Sequence, residues 1–213
     1  MPRTGHLSVS SDGTTGYRRD APLKHHRFVH SRHRPLTPAA VTTEQRSLYE
    51  AILSGPRGST GAGHLLADDG SLLGPFGPML LSPSIGSRLQ DLGASLRFQS
   101  SLPPGVLELA ILVVANEWEC EFEWRVHASL ALDNGVPASM IEAVRTGAAV
   151  GSADHVLGIV RAAVEELLGT RRLSDQTHEQ LTELIGEQGI FELLAVCGYY
   201  VLLAMVLNGH EVK

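Results

Sequence analysis

Ten consecutive residues, Val106-Leu107-Glu108-Leu109-Ala110-Ile111-Leu112-Val113-Val114-Ala115, hold one polar side chain, Glu108. A helix that is apolar nearly all round has no face to offer water, so it is buried. The rest of the chain must pack around this segment. Glu108 then either goes into the core, where a carboxylate is costly unless paired or protonated, or lies on a narrow exposed stripe. Leu102-Pro103-Pro104 opens the helix, since proline suits a first turn.

The segments on either side read as helices too. Thr43 is placed to cap a first helix with Leu48, Tyr49, Ile52 and Leu53 on its apolar face. Residues 55–83 are rich in Gly and Pro but carry Leu72, Leu73, Phe76, Met79, Leu80 and Leu81, so this long loop is expected to pack on the core. Further helices are predicted over Ser84–Phe98, Cys120–Leu132 and Val136–Gly147, and then Ala153–Leu168, Ser174–Ile185 and Ile190–Leu207. Asn134-Gly135 stops one of them, and Ser174 caps another. No alternating strand pattern of any length is present. The expected fold class is all-α.

The chain has 213 residues, 43% hydrophobic and 19% charged, which suits one soluble globular domain. No uninterrupted apolar stretch reaches the roughly 18–20 residues that span a bilayer. The most apolar piece, Phe191 to Leu207, is broken by Glu192, Gly198 and two tyrosines, and reads as a buried core helix. Residues 1–38 look instead like a disordered basic arm, rich in Ser, Thr, Gly, Arg and His without apolar periodicity. Its His6, His25, His26, His30 and His33 are irregularly spaced, as in a solvated tail rather than a metal-binding tract. The first 35 residues set seven Lys/Arg against Asp12 and Asp20, while the remainder sets ten against 21 acidic groups. So acidic a body argues against nucleic acid as a partner. Cys120 and Cys197 match no metal or redox spacing, which fits a reducing, cytoplasmic setting with no metal site.

The chemistry-bearing run is Glu117-Trp118-Glu119-Cys120-Glu121-Phe122-Glu123-Trp124-Arg125-Val126-His127. Glu123 and His127 lie four apart and share a helix face, with Cys120 three before Glu123 on the same face. A carboxylate beside an imidazole orients it and raises its pKa, which suits a general acid or base near neutrality. The same pair could equally be a surface contact of small value. Cys120 is a nucleophile if activated, although neighbouring carboxylates disfavour thiolate, and a small buried cysteine reads the same way. Trp118, Trp124, Tyr199 and Tyr200 could line a pocket or simply pack. Arg57 could clasp a substrate carboxylate or sit as a loop charge.

Leu102-Pro103-Pro104, Glu108-Leu109-Ala110-Ile111-Leu112, Glu123-Trp124-Arg125-Val126-His127 and Gly135-Val136-Pro137 together resemble the carboxymuconolactone decarboxylase family. That family belongs to the superfamily that also holds the AhpD-type alkylhydroperoxidases. Ser54-Gly55-Pro56-Arg57-Gly58, Gly74-Pro75-Phe76 and Gly198-Tyr199-Tyr200 through Leu207-Asn208 extend the resemblance over about residues 40–211. It implies an AhpD-like helical domain over residues 39–213. In the AhpD-type pattern a glutamate precedes a Cys-x-x-Cys-x-x-x-His helix. Glu108, Cys120 and His127 stand at matching positions, but Glu123 stands where the second cysteine would be, so no disulfide can cycle.

The resemblance therefore implies a cofactor-free, decarboxylase-like lyase acting on a small carboxylated cyclic substrate such as a lactone. His127 is then the acid/base, Glu123 its orienting partner or second base, Glu108 a proton relay and Cys120 a secondary candidate. Arg57, Trp124, Phe76 and Tyr199 are the expected substrate contacts. Alternatives are an isomerase, dehydratase or cyclase of secondary metabolism, a thiol-dependent peroxidase, and a non-catalytic assembly subunit. The family is commonly a homotrimer or homohexamer, which the apolar C-terminal helix suits. No membrane partner is expected.

Overall fold

The structure, a computed structural model, describes residues 31–59, 65–149 and 155–212. Among these the order is α1 (Thr43–Ser54), α2 (Pro56–Ser59), α3 (Phe76–Met79), α4 (Pro83–Phe98), α5 (Pro104–Glu117), α6 (Glu121–Asp133), α7 (Ala138–Thr146), α8 (His155–Thr170) and α9 (Asp175–His210). Among the described residues the only strand-like pairing is an isolated antiparallel bridge between Leu66 and Leu72. The fold is all-α. Residues 1–30 of the arm, and the expected helix start at Ala153, lie outside the described residues.

The predicted central helix is the hub. α5 packs against α6, α7, α8 and α9, while α4 joins α1, α2 and α3 to α9. Leu109, Ala110, Ile111, Leu112 and Val114 have no exposed surface at all. Fully burying a Leu or Ile contributes about 1.5–3 kcal/mol, so this run alone anchors the core. Glu108 is buried with them, at 2% exposure, which removes the exposed-stripe alternative.

The turn that follows α5 sets the site. The Glu119 N–H donates to the carbonyl of Asn116 at 3.2 Å and the Cys120 N–H to that of Ala115 at 2.8 Å. Glu119 itself sits in the left-handed region, with φ 51°. This is a Schellman closure with glutamate in the position glycine usually takes. It folds α6 back along α5 and brings the α6 carboxylate and imidazole onto Glu108.

Other expectations shift in detail. Thr42, not Thr43, caps α1: its hydroxyl accepts from the Gln45 N–H at 3.3 Å, and the Gln45 carboxamide oxygen accepts from the Thr42 N–H at 2.9 Å. Only Thr42 has a glutamine three residues on to complete this reciprocal box. The arm also ends earlier than residue 38. The Arg32 N–H donates to the His210 carbonyl at 2.9 Å, Arg32 pairs with Glu211 at 2.8 Å, and His33 is buried. Ser31, Arg32 and His33 are thus strapped to the end of α9.

The Gly/Pro-rich segment packs on the core as expected, with Leu65 and Leu72 buried and the Gly70 carbonyl accepting from the Tyr49 hydroxyl at 2.8 Å. α9 is long and apolar enough to cross a membrane by length and composition, but half of its most apolar window is buried inside the fold.

The two C-terminal helices predicted either side of residue 186 run on as one element with a break at Gly186, where φ is 68° and ψ 174°. That backbone conformation is open essentially to glycine alone. Gly186→Ala is therefore expected to lower unfolding stability by about 1–3 kcal/mol, read as a lower denaturant midpoint at unchanged slope.

Candidate active site

Three helices place four polar side chains on one line. Arg97 comes from the last turn of α4, Glu108 from the first half of α5, and Glu123 and His127 from one face of α6. Arg97 Nη2 meets Glu108 Oε1 at 2.9 Å. Glu108 Oε2 meets His127 Nδ1 at 2.6 Å, and His127 Nε2 meets Glu123 Oε2 at 3.1 Å. The result is a ladder of alternating charge, guanidinium, carboxylate, imidazole, carboxylate. Tyr200 of α9 supports it, with Oη 3.3 Å from Arg97 Nη1 and its ring edge-on to His127 at 5.1 Å between centroids.

The electrostatics fix the protons. Burial raises the Glu108 pKa, but His127 and then Arg97 outweigh it and hold the group below its ordinary value. Burial likewise works against a charged His127, but its hydrogen bonds to Glu108 and Glu123 prevail and hold it above the ordinary imidazole value. With Glu108 ionised, its 2.6 Å contact assigns the Nδ1 proton to the histidine as donor. Arg97 Nη1, 3.2 Å from the same nitrogen, is then an electrostatic neighbour and not its donor. His127 Nε2 and Glu123 Oε2, 3.1 Å apart, are close enough to share a hydrogen bond. Glu123 Oε1 is buried and has no hydrogen-bond partner among the described residues.

The ladder lines a cavity of about 840 Å³, whose walls include Arg57, Phe76, Phe98, Phe122, Tyr199 and Leu203. Of the expected site residues, the fold brings Glu108, Glu123, His127, Arg57, Phe76 and Tyr199 to this cavity. Two lie elsewhere. Cys120 is the non-helical residue before α6, so its spacing to Glu123 does not put it on the Glu123–His127 face; it packs against Ala204 and Leu207. Burial pushes its thiol up to about 11, which makes it a poor nucleophile. Trp124 is not among the lining residues; its ring lies 4.7 Å from the Arg145 guanidinium instead. Arg97, Tyr200, Phe98 and Phe122 are lining residues that the expected site set omits. An arginine in the last turn of a helix reads as ordinary dipole compensation, so Arg97 carried no signal of its role.

Both ring nitrogens of His127 are engaged by carboxylates, leaving no lone pair aimed at a metal. Among the described residues no three His, Cys, Asp or Glu side chains are grouped to hold an ion.

Residues 83–166 match the carboxymuconolactone decarboxylase family. The matched stretch runs from α4 into α8 and includes the whole ladder. No curated protein matches the chain.

The ladder should control both stability and titration. The raised His127 contributes stability that is complete below its unfolded pKa of about 6.5 and is lost as pH rises through the folded value. The lowered Glu108 contributes stability that is complete above its unfolded pKa of about 4.3 and is lost as pH falls through the folded value. The two contributions are therefore both whole between roughly pH 4.3 and 6.5. In ¹⁵N-labelled protein, His127 should titrate above the ordinary imidazole value. Glu108→Gln should bring that titration down by about 1–3 pH units.

Proposed function

We propose that this member of the carboxymuconolactone decarboxylase family is a lyase that works by proton transfer on a small carboxylated cyclic substrate such as a lactone. The observation that carries this reading is the Arg97–Glu108–His127–Glu123 ladder, ending at the wall of a cavity large enough for such a molecule. His127 is spanned by two carboxylates, so Glu123 is the member of the ladder that meets the substrate. His127 supplies and removes its proton, Glu108 holds the imidazole in its tautomer, and Arg97 keeps Glu108 ionised.

In the proposed reaction the bond between the ring carbon and a carboxylate breaks, carbon dioxide leaves, and the electron pair passes into the conjugated carbonyl as a dienolate. Carbon then takes the proton that His127 Nε2 passes through Glu123, and solvent reprotonates the pair. The developing negative charge is stabilised by the positively charged side chains already fixed at the cavity wall. Isomerisation would use the same groups, with the proton returned to a different carbon. Thiol chemistry is disfavoured by the burial and high pKa of Cys120.

A homo-oligomer is part of the same proposal. Phe191, Leu194, Leu202 and Met205 form an exposed apolar stripe on α9, with Phe191 72% exposed and Met205 53%. Such a stripe is the kind of surface that copies of a chain cover for one another. The protein should sediment as a multiple of the 22.9 kDa chain, and Phe191→Asp with Met205→Asp should reduce that mass. A wild-type monomer would contradict the proposal.

Carbon dioxide release on a panel of carboxylated lactones tests the chemistry. Glu123→Gln and His127→Ala should each slow turnover by about 10²–10⁴, the usual worth of a positioned acid/base, while Cys120→Ser keeps it. Full turnover in Glu123→Gln would sink the assignment.

A further inference from the structure

A second polar cluster, which reaches the same cavity through Arg57 and Tyr199, makes no hydrogen bond to the ladder among the described contacts. Arg57 of α2 donates from Nη1 to the Gln90 carboxamide oxygen at 3.0 Å and to the Gln90 carbonyl at 3.3 Å. Gln90 is held in that orientation because its own NH₂ donates to Asp91 at 3.0 Å. The Arg57 guanidinium also lies 5.3 Å from the Phe76 ring and 6.0 Å from that of Phe98. The Gln90 amide and two aromatic faces are thus among the groups that place it.

Gly93, one turn after Gln90 on α4, makes the rest of this corner. A Cβ at residue 93 would stand 2.2 Å from Tyr199 Oη and 2.7 Å from Arg57 Nη2. Both groups therefore crowd the bare α-carbon, and any larger residue would displace them. A phenol O–H and a guanidinium N–H converge there. The phenol stays protonated as a donor, because burial pushes its pKa up to about 12.

We propose that Arg57 and Tyr199, seated on Gly93 and oriented by Gln90, form an anion subsite for a carboxylate of the substrate, and that residue 93 decides whether the cavity accepts one. A planar carboxylate can take one hydrogen bond from the guanidinium and one from the phenol, with its apolar body against Phe76 and Phe98. An arginine stabilises a carboxylate as an anion and opposes its departure as neutral carbon dioxide. The group held here is therefore the one the substrate keeps, not one it loses. Only this last step rests on the acid/base reading; the subsite itself does not.

Calorimetric titration with benzoate, and with benzamide as its uncharged isostere, tests the subsite without turnover. Benzoate should bind at least about tenfold more tightly than benzamide, since a site built for a charged acceptor rejects the neutral one. Gly93→Ala and Arg57→Gln should each erase that preference. Tyr199→Phe, which removes one donor and adds no bulk, should weaken benzoate about fivefold. The His127 titration should be unchanged in Tyr199→Phe, which separates loss of the subsite from loss of the ladder. Equal binding of the two probes, no binding of benzoate, or benzoate affinity unaltered in both Gly93→Ala and Tyr199→Phe would overturn the proposal. Full turnover in Glu123→Gln would overturn the acid/base reading and leave these binding results standing.

Discussion

Glu108 is a carboxylate in the middle of the most apolar helix of the chain, and the surrounding structure is arranged to make that tolerable. An ionised carboxylate moved from water into such a core is several kcal/mol unfavourable even after relaxation. Two cationic partners offset that cost here, Arg97 on one oxygen and His127 on the other. Each comes from a different neighbouring helix. The single acidic residue therefore fixes how α4 and α6 sit against α5, because a shift of one residue in either helix would strand the charge. The left-handed turn at Glu119, unusual for a glutamate, is a local strain that this arrangement sustains.

Much of this was legible in the sequence, and the parts that were not have physical reasons. Helical periodicity with proline at starts and glycine at stops outlines α4 to α9, because burial of one face is written every third or fourth residue. The end of the arm was not legible: it depends on Ser31 and Arg32 meeting His210, about 180 residues away in the chain, a contact no local pattern encodes. Glu108, Glu123 and His127 stood out as polar residues where apolar ones belong, and the last two by their spacing on a single helix. Cys120 was misplaced by carrying the helical period one residue past its true start. Trp124, next to Glu123 in sequence, is turned by about 100° around the helix and faces Arg145.

Arg97, Gln90 and Gly93 were silent for a different reason. Each lies on α4, whose residues look like those of an ordinary amphipathic surface helix. Their roles arise only where α4 crosses α5 and α9: Arg97 meets a carboxylate from one, and Gly93 makes room for a tyrosine from the other. A glycine in a helix interior costs roughly 1 kcal/mol against alanine. The close approach of Tyr199 and Arg57 gives that cost a structural cause, which a propensity argument alone would leave unexplained.

The two arginines of the cavity divide the electrostatic work. Arg97 is spent inside the protein, where it secures Glu108 and, through it, the tautomer of His127. Arg57 is set against the Gln90 amide and the rings of Phe76 and Phe98, which help to hold its guanidinium at the cavity wall. Neither can give up a proton at working pH, so both lie outside the proton traffic and act only as fixed fields. In the proposed reaction the proton therefore moves through His127 and Glu123, which face each other at 3.1 Å. Four cationic side chains line the cavity when His127 is protonated, Arg57, Arg97, Arg125 and His127, against Glu108, Glu123 and Asp133. That one excess positive charge attracts an anionic ligand. In the reaction proposed above it would disappear only when that proton leaves the Glu123–His127 pair for carbon, so a product that has taken up the proton would meet a site that holds anions less tightly than the one its substrate entered.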